Sequence, residues 1–267
     1  VPMTRIVKAS VVVVALGVCI AAGIARAADI DPSMVLYMPF DDVGADAATD
    51  FSSVGNHGEL MNGAELTEED PIFFGSLLLE PNAYVEVPGH DSLNLQDMTL
   101  MFWCRFDGEP DAIQNGIERT SGWGAGEYNL NGDYNGGVIL QVFDLDDGCD
   151  DELQVGNVVD FTWHHVAATY DSSEIVIYID GDDVGGGPCE GEIAKVATPL
   201  YIGARGGSGR FTQGAYDEIR MYNRPMKKAE IAQIMSEGPI ELLAVDPRDR
   251  AAVTWGTLKT GVPALHD

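Results

Sequence analysis

The chain has 267 residues, 45% of them hydrophobic and 22% charged, which excludes a disordered or fibrous protein and suits one medium domain with an ordinary core. Against 15 Lys and Arg stand 43 Asp and Glu, a formal net charge of −28. That sign repels phosphate backbones and anionic lipid, so it excludes nucleic acid as a partner and favours divalent cations.

In chain order, residues 1–27 carry Arg5 and Lys8, an apolar run over Val11–Ile24, and then Ala25-Arg26-Ala27. Basic, apolar and then small-x-small is the order of a secretory signal peptide, and the run is shorter than the roughly 20 residues needed to cross a bilayer. The expectation is export to the bacterial cell envelope, periplasm or medium, with no membrane insertion once the leader is gone. Losing it removes Arg5, Lys8 and Arg26 but no acid, so the net charge moves from −28 to −31.

From residue 28 to 238, short β-branched and aromatic runs alternate with turn-rich stretches. Strands are predicted over Val35–Phe40, Leu77–Leu79, Tyr84–Val87, Met98–Phe106, Val138–Asp144, His164–Tyr170, Ile175–Asp180, Leu200–Gly203 and Ala215–Tyr222. Many short strands and almost no helix predict an all-β sandwich or barrel. One helix is predicted over Met226–Ser236, with Gly238-Pro239 as its stop. Residues 239–267 form a tail that reads as an edge strand, a spacer or an attachment segment.

Three cysteines follow the leader. Cys149 and Cys189 lie in Gly- and Asp-rich turns, DDGCDD and GGGPCEG, where a disulfide would staple two loops of an exported protein. Cys104, inside MTLMFWCRF, reads as a small buried side chain. The adjacent His164 and His165 in WHHVAATYD invite a metal reading, but side chains alternate on a strand. The two imidazoles diverge, and each reads as a packed, hydrogen-bonded residue.

Five pieces then occur in order: MPFDD…DFSSVGNHGEL (Met38–Leu60), YVEVPGHDSLNLQDMTLMFWCRF (Tyr84–Phe106), WHHVAATYD with IYIDG, YIG, and YDEIRMYNR followed by AEI. Together they resemble laminin-G-like domains of the concanavalin A-like jelly-roll superfamily, over about Val35 to Ser236. The resemblance implies a jelly-roll sandwich of two antiparallel sheets with one short C-terminal helix. It leaves function open, because such sandwiches carry lectins, adhesion modules and glycosidases alike.

Alternation along Ala215–Tyr222 puts Asp217 with Ala215, Ile219 and Met221 on an apolar face, and Glu218 with Arg220 on the other. A carboxylate so placed needs a cation, a distant arginine or backbone amides. Laminin-G-like relatives imply a structural calcium ion joining the acidic loop 41–58 to this strand, with Asp42, Asp50, Asn56 and Asp217 as oxygen ligands. The plainer alternative is that Asp50 and Ser52 cap turns. DLDDGCDDE (Asp144–Glu152) lacks one position of a helix-loop-helix calcium loop and reads as a solvated rim.

No strand carries the same-face carboxylates of a retaining glucanase, and no serine triad, zinc helix or Cys–His dyad is recognisable. The sequence therefore predicts a non-catalytic binding module for an extracellular glycan or protein. Trp123, in SGWGAGEY, is the first candidate sugar platform, and Tyr134 and Phe211 are further candidates. A structural or adhesive scaffold that binds no sugar is the rival.

Overall fold

The computed structural model describes residues 30–108, 113–120, 124–132, 136–143, 149 and 154–239. The leader, Trp123, Tyr134, the acidic run 144–148 and 150–153, and the tail from 240 lie outside the described residues.

Two antiparallel sheets are stacked, as the sequence predicts. The first has the order β13 (Asp182–Pro188), β12 (Glu174–Ile179), β11 (His164–Tyr170), β7 (Met98–Phe106), β15 (Gly214–Tyr222), β5 (Ser76–Leu79) and β4 (Glu65–Thr67), and β1 (Met34–Met38) also pairs with β15. The second has the order β10 (Val138–Val142), β9 (Tyr128–Gly132), β8 (Gln114–Arg119), β14 (Leu200–Ile202), β6 (Tyr84–Val87), β3 (Gly58–Met61) and β2 (Ala47–Ala48). The helix α1 (Lys228–Glu237) follows β15, and the Glu230 carboxylate accepts the Lys227 amide at its first turn.

Period-two alternation builds the core. Met98, Leu100, Phe102, Cys104 and Phe106 of β7 all point inward, against Val85 and Val87 of β6, Ile117 of β8, Leu130 of β9, and Val138, Leu140 and Val142 of β10. The Tyr216 ring meets Phe102 and Phe106 edge-on, at centroid distances of 5.7 and 5.9 Å. Gly116 permits this packing: a Cβ there would stand 2.5 Å from Phe102 Cζ and 2.5 Å from the Leu130 carbonyl oxygen.

Cys149 and Cys189 are bonded, closing a loop of sequence separation 40 that ties the chain beyond β10 to the chain beyond β13. The disulfide therefore joins the outermost strands of the two sheets along one side. Cys104 is a buried thiol in the core.

A loop of this length predicts that the double variant Cys149→Ser/Cys189→Ser loses about 4 kcal/mol, chiefly because the unfolded chain regains freedom. Guanidinium unfolding midpoints of the two proteins measure the loss. Phe102→Ala is expected to cost about 3–5 kcal/mol through its cavity, with no change in the denaturant slope.

Candidate functional site

The second sheet turns its other side outward, and pairing fixes what lies there. Cross-strand partners share a face, so Gln141, Asn129, Glu118, Tyr201, Glu86 and Glu59 form one lateral row across β10, β9, β8, β14, β6 and β3. The adjacent inward row is Leu140, Leu130, Ile117, Ile202 and Val85. At about 4.8 Å per strand the outer row spans about 24 Å.

Its middle is a buried polar network. The Glu118 carboxylate meets Arg205 Nε at 3.2 Å and accepts from Asn131 Nδ2 at 3.3 Å. Burial pushes its pKa up to about 7; nearby Glu127 adds to the rise, and Arg205, Asn131 and Arg210 oppose it. Asn131 Oδ1 accepts the Gly116 amide, and Asn129 Nδ2 donates to Gln141 Oε1 at 3.1 Å. Asn129 Oδ1 is buried without any protein partner. Thr120 Oγ1 and the Gly124 amide both donate to Glu127.

Beside the network stands an aromatic group. Tyr84 lies 6.1 Å from Tyr201 and 6.0 Å from Phe211 between centroids, and Met61 and Ala204 pack with them. Phe211 is thus half-buried against Tyr84. The glycine-rich stretch between β14 and β15 is closed by hydrogen bonds: Arg205 N to Gly209 O at 2.8 Å, Ser208 N to Arg205 O at 3.1 Å and Thr212 N to Gly203 O at 2.8 Å.

The first sheet's outer side holds the acids of the expected calcium site, in a different grouping. Tyr216, Ile219 and Met221 enter the core, and the register with β7 shifts between Asp217 and Arg220, where Glu218 takes φ +55°. This β-bulge inserts one residue and flips the alternation. Asp217 therefore pairs laterally with Trp103, outside the core, and lies on the same side as Glu218 and Arg220, not on the inner face with Ile219 and Met221.

Asp217 Oδ2 accepts the Ile72 and Phe73 amides at 3.1 and 3.0 Å, while Oδ1 is buried without a partner. Burial raises its pKa to about 8, with Glu218 and Asp41 adding to the rise. Glu218 accepts from Tyr37 Oη at 3.2 Å and binds Arg220, whose guanidinium lies 4.8 Å over the Tyr37 ring; burial still holds its carboxyl near 7. Asp41 accepts the Gly75 amide at 3.1 Å and is raised to about 6, mainly by burial.

Asp50 and Asn56 are engaged elsewhere. Asp50 accepts the Tyr37, Ser52 and Asn56 amides and the Ser52 hydroxyl, at 2.8, 2.8, 2.6 and 2.8 Å. Asn56 Nδ2 donates to the Val35 carbonyl and Ser92 Oγ. Asp42 is exposed. The four expected ligands do not converge: Asp41 and Glu218 take the places beside Asp217, and Asp50 closes its own loop. Among the described residues no three His, Cys, Asp or Glu side chains form a metal-binding group, so a cation at Asp217 would draw mostly on main-chain oxygens.

His164 and His165 diverge. His165 is buried at 5.3 Å from Trp103, and burial lowers its pKa to about 3; His164 Nδ1 meets Asp180 at 2.8 Å.

A laminin G family model of the concanavalin A-like lectin/glucanases superfamily matches residues 79–232. The chain belongs to the concanavalin A-like lectin/glucanases superfamily. No curated protein sequence matches it. Among solved structures, this superfamily member is similar to the binding domain of Paraclostridial Mosquitocidal Protein 1, with 15% identity over 77% of this chain and 52% of that one, TM-score 0.62. It is also similar to domain 4 of AbnA, a GH43 extracellular arabinanase from Geobacillus stearothermophilus in complex with arabinotriose, at 12% identity over 75% of this chain and 97% of that one, TM-score 0.61. A third is Trypanosoma rangeli sialidase, with 17% identity over 75% of this chain and 32% of that one, TM-score 0.56. The chain spans about half of the mosquitocidal binding domain. At these identities the likeness is one of fold, and both binding domains and enzymes share it.

Asp217, Glu218, Glu118 and Asp41 all have folded pKa values above their unfolded ones. The folded chain then holds protons that the unfolded chain has released, so stability is greatest below about pH 4 to 5 for these groups and is lost as pH rises towards 8. Thermal melts in chelator are expected to show the melting temperature falling between pH 5 and 8. Asp217→Asn should flatten that fall; an unchanged slope would count against its titration.

Proposed function

We propose that this chain is a secreted, non-catalytic binding module that holds an uncharged glycan on the outer face of the second sheet. The observation that carries this reading is the buried, unpartnered Asn129 Oδ1 set between Glu118, Asn131 and Gln141, with Tyr201 next along the row. Planar carboxylate and amide groups match vicinal hydroxyls, and an aromatic ring beside them matches a sugar's apolar face. A buried acceptor with no protein donor costs about 1–3 kcal/mol, a cost that a ligand hydroxyl would relieve. The arabinanase domain solved with arabinotriose, similar along 97% of its length, supports the reading. The disulfide supports residence in an oxidising compartment such as the bacterial envelope or the medium.

The reading includes a structural calcium ion. Asp217, with its unpartnered buried oxygen, and Asp41 are the carboxylates that would hold it, and the ion would supply positive charge where Asp217, Glu218 and the half-buried Asp41 repel one another. Calcium is expected to raise the melting temperature of chelator-treated protein at neutral pH, and Asp217→Asn to abolish that response. No shift at millimolar calcium removes the ion from the account.

Glu118, held near pKa 7 beside Glu127, favours a second reading as a glycoside hydrolase, because one raised carboxyl beside another is acid–base chemistry. A glycan array followed by a reducing-end assay on every bound polysaccharide separates the two. Binding without new reducing ends, weakened at least about tenfold by Asn129→Ala, is the expected result. New reducing ends that vanish in Glu118→Gln favour the enzyme, and an array with no signal favours the scaffold.

A further inference from the structure

The described residues expose four large hydrophobic side chains, and two are phenylalanines: Phe74, 72% exposed, and Phe161, 58% exposed. Phe161 also holds φ +67°, a left-handed conformation that a bulky residue rarely adopts. Its surroundings keep it there. Asp160 Oδ1 accepts the Thr162 amide and hydroxyl at 3.0 and 2.7 Å, and His164 bridges Asp160 to Asp180 at 3.2 and 2.8 Å. A strained backbone fixed by four side chains presents an apolar ring to water, which neither folding nor solubility requires.

The two rings belong to joined loops. Trp163 Nε1 donates to the Asp70 carbonyl at 3.0 Å, and Arg105 lies 5.6 Å over the Trp163 ring while binding Asp70 and Asp107. Arg105 is therefore neutralised by the two aspartates it binds. On these loops and the turn bound to them through His164, Asp70, Asp160 and Asp180 are 67%, 45% and 49% exposed at their side chains. An apolar anchor rimmed by carboxylates is complementary to a partner that offers apolar side chains flanked by Lys or Arg, which can also lie against an aromatic face. A second copy of this chain, also at −28, is the wrong partner.

We propose that the joined loops carrying Phe74 and Phe161 are a docking surface for a basic, apolar segment of another protein, separate from the face on the second sheet. The decisive substitution is Phe161→Gly, since glycine relieves the left-handed strain while deleting the anchor. The probe is a synthetic peptide alternating arginine and leucine, with a glutamate–leucine peptide as control, titrated against the full chain at high salt to screen long-range attraction. The arginine peptide is expected to bind, and Phe161→Gly and Phe74→Ser each to weaken it at least about tenfold. Phe161→Gly is expected to melt no lower than the parent, and Val54→Ser, at another exposed hydrophobe, to leave binding unchanged. Equal affinity in the phenylalanine variants, equal affinity for the glutamate peptide, or no binding by the parent chain overturns the proposal.

Discussion

The β-bulge at Asp217–Glu218 is the constraint on which the first sheet depends. Strand β15 pairs with β7 on one side along its length, but on the other side with β5 over Gly214–Tyr216 and with β1 over Ile219–Tyr222. The partner changes where the extra residue sits. That residue lets Tyr216, Ile219 and Met221 all reach the core despite their odd spacing, and it turns two consecutive acids outward into buried ground. The Ile72 and Phe73 amides, Tyr37 and Arg220 then gather around those acids, and Arg220 also donates to the Gly238 carbonyl, so one inserted residue fixes how the loop before β5 and the end of α1 are tied down.

The outer sides of the two sheets are consequently unlike. On the first sheet, α1 and the segment around Ile72–Phe73 supply contacts over the outer side; Gly181 lies close under Met235, and Gly238 against Phe73. On the second, side chains of the strands themselves supply the polar groups, with amides and carboxylates in lateral register beside a tyrosine pair. A rigid sheet places such groups with little conformational freedom left to lose on binding, which favours selective recognition over adaptable contact.

How much of this could be read from the sequence follows from the same physics. Strands whose inner and outer residues differ in polarity, such as Met98–Phe106 and His164–Tyr170, alternate plainly, and the pairing of Cys149 with Cys189 follows from their place in two turns. QNGIER and YNLNG were not legible as strands, because their Asn and Gly read as turn residues. Those same asparagines and the glutamate build the polar face, so the groups that define the site are the ones that conceal the strands bearing them. The grouping of Asp217 is hidden for a different reason: strict alternation does not run through a bulge, which shows only in the left-handed Glu218 and the register shift beside it. Asp50 and Asn56 have ligand chemistry, yet both Asp50 oxygens and the Asn56 amide nitrogen are engaged by nearby backbone and by Ser52 and Ser92.

The bond between Cys149 and Cys189 has a consequence beyond equilibrium stability. The interval it spans contains β11, β12 and β13, so a protease that cut one connecting loop there would leave both pieces covalently attached as well as paired. A nick there would not become a loss until a reductant arrived. The working lifetime of the domain would then be set by the redox condition of its surroundings more than by the first cleavage.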